Sequence, residues 1–452
     1  MTRDDEANRF SARASRYAKM GVNAGTLAAR VGVNRIAGGG GAGDARAFSE
    51  ALGAMKGPIM KVAQMLATVP DVLPADYAAE LTKLQSQAPP MGASFVRRRM
   101  QAELGPNWRT KFADFDLHPT AAASLGQVHR AVSLDGHQLA CKLQYPDMAS
   151  AVEADVSQLN LLFSLHRRLK PVIDPREIQR EISERLREEL DYLREAKVAG
   201  MYRLMLADRP QVRVPKVYPE LSTGRLLTLE WAEGEKLAAF ETAPAGSRAK
   251  LAALLFEAWW RPFLRYGVIH GDPHLGNYSV VARAGTREIE ALNLYDYGCV
   301  RVFAPSFVRG VVELYRGLLA QDHERIRFAY ELWGFNDLRR ETIDAMNIWA
   351  GFICGPILDD RVRSFADGVK PSEFGRKEIG AVMRALKAEG TELTAPREFV
   401  FLDRAAIGLG AAFLRLGAEL NFHRLFEETV AGFTPETVGA RQREALTRAG
   451  LA

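Results

Sequence analysis

The sequence predicts an α+β protein with two lobes and a helical extension at its N-terminus. Apolar residues recur at helical spacing over 46–110, which indicates amphipathic helices. From about residue 112, short runs rich in β-branched residues are separated by turn residues, which is typical of a small sheet. After about residue 236 the pattern is again mainly helical, with a short β-type island at 279–300. We therefore expect a sheet lobe followed by a helical lobe.

The chain is expected to divide into four segments. They are a helical or flexible segment at 1–45, a helical extension at 46–110, a sheet lobe with a helical insertion at 111–235 and a helical lobe at 236–452. The glycine-rich run at 38–46 matches the spacing of a dinucleotide-binding loop. No β-branched strand precedes it, so we interpret the run as a flexible linker.

Composition indicates a globular protein of a reducing compartment. The chain is 25% charged and 47% hydrophobic, with a formal net charge of +5 and three cysteines that form no CxxC pair. No basic run is interleaved with aromatic residues, so nucleic acid is not expected as a partner. The first residues lack the apolar stretch of a secretory signal, and no segment reaches the roughly 18 apolar residues of a spanning helix. We expect a cytoplasmic protein, with attraction to the inner face of an anionic membrane left open.

Two motifs in the second half of the chain fit a phosphoryl-transfer site. The sequence VIHGDPHLGN places Asp272 and Asn277 in the HxDxxxxN spacing of a kinase catalytic loop, with His270 as its first residue. Further on, LYDYGCV places Asp296 where a DFG aspartate would stand, with Tyr in place of Phe. In such a site Asp272 would be the base, and Asn277 and Asp296 would bind Mg²⁺. Each motif alone is more often a turn, so the prediction depends on their order along the chain.

A lysine and a hinge upstream fit the nucleotide side of the same kind of site. Lys142 ends an apolar strand in LACKLQY, as the lysine that binds the α and β phosphates of ATP does. The stretch LLTLEWAEGEKL is similar to the strand and hinge that accept adenine, and Glu230 and Ala232 would offer backbone groups. His270 and His274 lack a third ligand at helical spacing, so metal binding by histidine is the weaker interpretation.

An alanine-rich loop takes the position of the glycine-rich phosphate loop. The run AAASLGQV overlays the pattern GxGxxGxV, and its candidate nucleotide-binding residues are Ala121, Ala123, Ser124, Gly126 and Val128. Ala121 and Ala123 replace the first two glycines. Because a methyl group forbids backbone conformations that are open to glycine, we expect altered nucleotide selectivity and altered transfer geometry.

These motifs together resemble the ABC1 family of atypical kinases, also called the AarF, UbiB or ADCK family. The resemblance runs from about residue 50 to about residue 425 and includes PTAAASLGQVHRA, CKLQYPDM, HGDPHLGN and LYDYG. It implies an atypical protein-kinase-like two-lobe fold and binding of ATP or ADP with Mg²⁺. It also implies a role in ubiquinone or other isoprenoid lipid metabolism. The helix EELDYLREA is similar to the family helix that pairs with the lysine, so Glu189 takes that role, with Glu195 as the fallback.

Two further family motifs are implied to be regulatory. Glu153 and Asp155 match the family's ExD motif in EADVSQLNLL. Lys61 and Gln64 match its KxGQ motif, although Ala63 stands where the family has glycine. In the family this extension covers the acceptor site, and its lysine reaches toward the ExD carboxylates.

The sequence favours one function and leaves two alternatives open. The first is a kinase-like ATPase or small-molecule kinase with a nucleotide, an isoprenoid or quinone-like lipid, a membrane surface and a biosynthetic protein complex as partners. The second is a phosphotransferase of the aminoglycoside or choline kinase type, since HGDPHLGN also resembles the HGDxHxxN motif of those enzymes. The third is a non-catalytic ATP-dependent scaffold of a biosynthetic complex. No APE motif follows Asp296 at the usual distance, which disfavours protein phosphorylation.

Overall fold

The computed structural model describes residues 91–123, 125–153, 156, 180, 183–184, 186–272, 274–335, 338–366, 369, 378, 380–382, 384–385 and 397–452. The segment expected at 1–45, most of the extension at 46–110 and the middle of the expected helical insertion lie outside these residues.

The described residues form two compact units. The first contains residues 91–156, those between 180 and 192, and Glu220–Thr228. The second contains Leu193–Pro219 and the described residues from Leu229 onward.

Short strands occur in both units. In chain order they are β1 Asp114–Phe115, β2 Ala121–Ala123, β3 Gly126–Val132, β4 Gln138–Gln144, β5 Val212–Arg213, β6 Leu226–Glu230, β7 Glu235–Lys236, β8 Val268–His270, β9 Tyr278–Ala282, β10 Ile289–Leu294, β11 Val300–Val302, β12 Arg363–Ser364 and β13 Glu419–Leu420.

The helices are longer and lie mainly in the second unit. They are α1 Ala93–Leu104, α2 Tyr192–Met205, α3 Ala245–Tyr266, α4 Pro305–Ala320, α5 His323–Leu332, α6 Arg340–Leu358, α7 Arg397–Leu416, α8 Phe422–Val430 and α9 Pro435–Ala449.

A five-stranded sheet is the centre of the first unit. Its strand order is β1-β3-β4-β6, and β2 pairs with the start of β3 in an antiparallel hairpin. Alternate residues of β4, Leu139, Cys141 and Leu143, are fully buried because successive side chains of a strand point to opposite faces. The runs that the sequence analysis expected to be strands of a small sheet thus form β3, β4 and β6.

Helix α1 is held against this unit by both apolar and charged contacts. Val96 and Met100 are fully buried on one face of the helix. Near its end, the Glu103 carboxylate accepts hydrogen bonds from Arg225 Nε at 2.9 Å and from Thr223 Oγ1 at 2.6 Å. Because the Glu103 carboxylate has little exposure to solvent, its free energy would rise strongly if it lost these bonds. The two bonds therefore hold Arg225 and Thr223 in place against α1.

A chain of hydrogen bonds connects the residue just before α1 to strand β3. The Met91 N–H donates to Gln127 Oε1 at 2.8 Å, and Gln127 Nε2 donates to His129 Nε2 at 2.9 Å. His129 Nδ1 lies 2.9 Å from the carbonyl oxygen of Asp116. Because a carbonyl can only accept, Nδ1 carries the hydrogen and the ring is neutral. Burial lowers the pKa of His129 from 6.5, in keeping with this neutral form.

Helix α3 runs through the core of the second unit. Its residues Leu255, Trp259 and Phe263 are buried at helical spacing, as expected of an internal helix face. The helix ends at Gly267, whose φ of 64° is left-handed and whose N–H bonds to Phe263 O at 2.8 Å. Glycine suits this position because it adopts a left-handed backbone without the cost that a side chain brings.

Two small sheets of the second unit carry the motifs of interest. One has the order β5-β10-β9-β7, and the other is the antiparallel pair β8-β11. The expected β-type island at 279–300 is present as β9, β10 and the start of β11. One further strand lies outside the expected island: Val268–His270 forms β8 by pairing with Val300–Val302.

The prediction of an α+β fold is confirmed. Within the described ranges no helix has both the length and the apolar character needed to cross a membrane. The four segment boundaries given above stay a prediction.

Candidate active site

The two motifs of the second unit are joined by backbone pairing. His270 is paired with Val300 across β8 and β11, and the Gly271 N–H donates to Cys299 O at 3.0 Å. The imidazole Nε2 of His270 lies 2.9 Å from the carbonyl oxygen of Tyr295. The expected catalytic loop and the Asp-Tyr-Gly segment therefore lie side by side.

Asp272 and Asn277 are connected within the loop itself. Asn277 Nδ2 donates to the backbone carbonyl of Asp272 at 3.2 Å, and the His274 N–H donates to Asp272 Oδ1 at 3.3 Å. The loop closes on a short 3₁₀ turn, Leu275–Asn277, and both Asp272 and Asn277 are less than a tenth exposed. Because the amide nitrogen of Asn277 is used in this bond, its Oδ1 is the atom oriented for a cation.

Asp296 is brought next to Asn277 by the β9–β10 hairpin. Leu294 is paired with Tyr278, and the Tyr295 N–H donates to Asn277 O at 2.9 Å. Asp296 follows immediately and has a φ of 59°, in the left-handed region that non-glycine residues rarely adopt. Such a backbone conformation is strained and persists only where the surrounding structure holds it in place. Strain of this kind is often found at functional sites.

A polar network that sequence reasoning missed supports this hairpin. The Tyr295 hydroxyl lies 2.6 Å from Ser279 Oγ and donates to the carbonyl of Ala232 at 3.0 Å. Asn293 Nδ2 donates to Ser279 Oγ at 2.9 Å and to the carbonyl of Glu233 at 2.9 Å. Ser279 and Asn293 each stand as a single polar residue between apolar neighbours in β9 and β10, and this was the signal available in the sequence.

Aromatic rings enclose His270 beneath the loop. The ring centroids of Tyr297, Trp259 and Tyr202 lie 5.8, 6.0 and 6.1 Å from that of His270. Burial raises the pKa of Tyr297 well above its usual value, and the charges of Glu195 and Asp296 raise it further. His270 is thus packed in an aromatic cluster beneath the HGDPHLGN loop.

The alanine-rich loop is a tight hairpin in the first unit. Ala121 is paired with Val128 and Ala123 with Gly126, so the turn between β2 and β3 lies at the expected position. A Cβ added at Gly126 would overlap the carbonyl oxygen of Leu143 and would lie 3.1 Å from the Tyr192 hydroxyl. The retained glycine is therefore required by the close approach of β4.

Lys142 lies opposite Val128 in the same sheet. Its ammonium group is 5.0 Å from the centroid of the Tyr192 ring, within the range of a cation–π contact. Glu189, three residues before Tyr192, belongs to the same unit and is 8% exposed. Glu195 belongs to the second unit and is also buried.

The comparisons with known proteins agree with these motifs. The model of the ABC1 atypical kinase-like domain matches residues 83–330. The chain belongs to this family. The matched range contains the alanine-rich hairpin, Lys142, Glu189, the catalytic loop and Asp296.

Several ABC1 relatives are similar over long stretches. The chain is 27% identical to the mitochondrial atypical kinase COQ8 of Saccharomyces cerevisiae over 83% of this chain and 74% of that protein. It is 31% identical to the chloroplastic protein ACTIVITY OF BC1 COMPLEX KINASE 8 of Arabidopsis thaliana over 59% of this chain and 35% of that protein. Against the first relatives that it matches, the chain spans only 35%, 46% and 38% of their length.

A solved structure confirms the kinase-like ABC1 fold. The complex of Rv3197 with erythromycin from Mycobacterium tuberculosis superposes with a TM-score of 0.57 at 27% identity. The match covers 84% of this chain and 94% of that one.

The two motifs that were expected to be regulatory lie only partly within the described residues. Glu153 accepts two hydrogen bonds from Arg187, at 2.7 Å from Nε and 3.0 Å from Nη2, and this guanidinium holds the pKa of Glu153 below its usual value. Lys61, Gln64 and Asp155 lie outside the described residues, as does Ser124 of the loop. Sequence reasoning did not identify Arg187 as a partner of the ExD glutamate.

Two backbone groups of the expected hinge already form hydrogen bonds within the protein. The Glu230 N–H donates to the carbonyl of Lys216 at 2.8 Å, and the Ala232 carbonyl accepts the Tyr295 hydroxyl. The Glu230 carbonyl and the Ala232 N–H are then the candidates for an adenine edge.

The oxygen donors at the loop suit a hard divalent cation. Among the described residues no group of three or more His, Cys, Asp or Glu side chains is arranged as a metal site. Mg²⁺ needs no such cage, because it is commonly bound by one or two protein oxygens together with phosphates and water. Asn277 Oδ1 and the Asp296 carboxylate are the two oxygen donors here that could bind such a cation.

Proposed function

We propose that this protein binds Mg-ATP and acts as a kinase-like ATPase or small-molecule kinase. The observation that carries the proposal is the fixed pair of Asn277 and Asp296 beside Asp272. The Asn277 amide is oriented by the Asp272 carbonyl, and its backbone is paired with Tyr295, next to Asp296. Membership of a kinase-like family supports nucleotide binding at these residues.

Each residue of the second unit has a separate role in this proposal. Asn277 and Asp296 hold Mg²⁺, which when bound would neutralise charge on the nucleotide phosphates. Asp272 accepts the proton of the attacking hydroxyl or water, and the His274 N–H orients its carboxylate. The Glu230 carbonyl and the Ala232 N–H bind the adenine edge.

The first unit supplies the phosphate contacts in this proposal. Lys142 binds the α and β phosphates, and Glu189 neutralises and orients the lysine. The hairpin residues Ala121, Ala123, Ser124, Gly126 and Val128 form the phosphate loop. The methyl groups of the alanines restrict backbone conformation there and shift the preference between ADP and ATP.

The acceptor proposed is an isoprenoid or quinone-like lipid at a membrane surface. Support comes from the family resemblance and from the absence of an APE motif, which disfavours a protein substrate. Lys61 and Gln64 would cover the acceptor site, with the lysine drawn to Glu153 and Asp155. A biosynthetic protein complex is the partner proposed for such an enzyme.

ATP turnover tests this proposal. Purified protein should release ADP and phosphate from Mg-ATP, and a vesicle-borne isoprenoid quinone analogue should increase the rate. Asp272→Asn should lower turnover by about two to four orders of magnitude, the range for loss of a general base, while nucleotide binding persists. Turnover that is equal in wild type and Asp272→Asn would contradict the enzymatic role.

The scaffold function is the alternative that this experiment separates. A scaffold would bind Mg-ATP without turnover, and its partner binding would depend on nucleotide. The aminoglycoside or choline kinase type is less well supported, because the family match includes the alanine-rich hairpin that argues against it.

A further inference from the structure

Three arginine side chains converge at the C-terminal end of helix α3, in the second unit. Arg261 and Arg265 are one turn apart on α3, and residues at this spacing lie on the same face of a helix. Arg441 lies on α9, where the neighbouring Gln442 Nε2 donates to the carbonyls of Tyr266 at 2.9 Å and Phe303 at 2.8 Å. These bonds fix α9 against the end of α3, and the charge of Arg441 acts on Arg265 at this place.

The charges of this arginine cluster are not balanced. Arg261 is 6% exposed and forms an ion pair with Asp208, while its own Nε is buried and makes no hydrogen bond within the described part of the chain. The nearby pair of Arg209 and Glu257, at 3.7 Å, is neutral overall. Three guanidinium groups thus share one carboxylate, which leaves an excess of two positive charges.

Two of the arginines form no direct polar contact with a carboxylate among the described residues. Across the described ranges, neither Arg265 nor Arg441 forms an ion pair or a hydrogen bond. Burial lowers the pKa of Arg265 below its usual value, the charges of Arg261 and Arg441 lower it further, and the charge of Asp208 offsets part of this effect. Like charges held together in a partly buried place are unfavourable unless an anion offsets them.

We propose that Arg261, Arg265 and Arg441 form a binding site for a phosphate-type dianion. Guanidinium groups present parallel N–H donors that match the oxygen atoms of a phosphate, and their bonds to it are charge-assisted. A dianion would balance the two excess charges and would give the buried Nε of Arg261 an acceptor. Inorganic phosphate and a phosphomonoester lipid headgroup share this chemistry.

This site is separate from the residues assigned to Mg-ATP. None of its members is in the catalytic loop, the hairpin or the hinge, so the inference does not depend on the proposed function. Asp296→Asn should leave phosphate binding at the arginine cluster intact, and this variant therefore distinguishes the two proposals.

Calorimetric titration with inorganic phosphate, at an ionic strength held constant with chloride, tests the site. Arg265→Gln and Arg441→Gln should each raise the dissociation constant for phosphate by about tenfold or more, as expected for loss of a charge-assisted bond. Arg443→Gln removes an equal charge from an exposed position of the same helix and should leave the constant within about twofold. Arg265→Lys keeps the positive charge but loses the parallel N–H donors of the guanidinium group, and it should give an intermediate affinity.

A second measurement, of protein binding to lipid vesicles, distinguishes a lipid headgroup from free phosphate as the ligand. Phosphatidylcholine vesicles with added phosphatidic acid should retain wild type but not Arg265→Gln if the ligand is a lipid headgroup. Binding of free phosphate without vesicle retention would assign a soluble ligand. The proposal is overturned if wild type binds neither, or if Arg265→Gln and Arg441→Gln bind phosphate as tightly as wild type does.

Discussion

The backbone N–H of Tyr295 donates a hydrogen bond of 2.9 Å to the carbonyl oxygen of Asn277. Asp296 follows Tyr295 directly, so the two proposed Mg²⁺ ligands are held together by a strand ladder. A site built on such a ladder is more accurately positioned than one on a free loop. The backbone positions of the two residues are thus fixed by the protein itself.

Asp296→Asn should abolish the stabilisation of the protein by Mg-nucleotide. In wild type, a nucleotide at a hundred times its dissociation constant should add about 2.7 kcal/mol to the free energy of unfolding. The variant lacks the negative charge that attracts Mg²⁺, so its melting temperature should not respond. Asp344→Asn, an exposed position on α6, is the matched control and should respond as wild type does. Equal responses of wild type and Asp296→Asn in thermal melts would refute the metal role.

Lys142 and Glu189 should be energetically coupled in nucleotide binding. Removal of either residue leaves a partly desolvated charge without its counter-charge. A double-mutant cycle with Lys142→Met and Glu189→Gln, read by nucleotide affinity, should show a coupling of about 1 kcal/mol or more. If the two effects add and Lys142→Met couples instead to Glu195→Gln, the role belongs to Glu195.

Gly126→Ala should destabilise the first unit by roughly 1–3 kcal/mol, the range for overpacking. The added methyl group would meet the carbonyl oxygen of Leu143, which is backbone and cannot rotate away. Gly224→Ala is the control, because a Cβ there meets nothing within 4 Å. Denaturant unfolding measures both variants, and an equal midpoint for Gly126→Ala and wild type would show that the strands can separate to admit the methyl group.

Ala121→Gly or Ala123→Gly should shift nucleotide preference and increase label transfer to the protein itself. Glycine restores the backbone freedom that a phosphate loop uses. Ala122→Gly is the matched control. Ala122 lies between the two alanines, and the GxGxxGxV pattern has no glycine at its position, so extra backbone freedom there should not affect nucleotide binding. Radiolabel incorporation and ADP and ATP affinities give the readout, and Asp272→Asn is the inactive control. If neither variant gains label while nucleotide still binds, the alanines do not restrain transfer.

Protonation of His129 should weaken the first unit in mild acid. The pKa of His129 in the folded state lies below 6.5, so the unfolded chain binds the proton more readily. Its contribution to stability is complete above pH 6.5 and is lost as pH falls toward the folded-state pKa. His129→Gln should reduce this dependence in denaturant unfolding at several pH values. His137→Gln removes an exposed histidine that does not act on His129 and should leave the dependence unchanged. A dependence that persists in His129→Gln would contradict this origin.

The sequence predicts the parts of the site that depend on local pattern. The hairpin, the Lys142 strand and the turn of HGDPHLGN were all located because turn formers and strand-forming runs act over a few residues. The strand Val268–His270 was missed, because three residues are too few to show a period and the strand forms only by pairing with Val300–Val302. Its existence depends on a tertiary contact.

Side-chain partners were predicted less well than positions. The Tyr295 hydroxyl reaches the carbonyl of Ala232, which is 63 residues away in the chain, and Glu153 pairs with Arg187, 34 residues away. No spacing rule relates such residues, since their meeting depends on how the strands and helices pack. The strands and turns that carry the candidate residues were therefore predictable from the sequence, whereas the hydrogen bonds that support them were not.

The bond from Met91 to Gln127 has a practical consequence for shortened versions of the protein. A chain that begins after residue 91 would lose this donor and leave the buried amide oxygen of Gln127 unsatisfied, one residue from the glycine of the hairpin. A chain that begins a few residues earlier keeps the bond and the whole of α1. Crystallographers who trim the N-terminus should therefore cut upstream of Met91, because a cut beyond it would change the hairpin that they wish to observe.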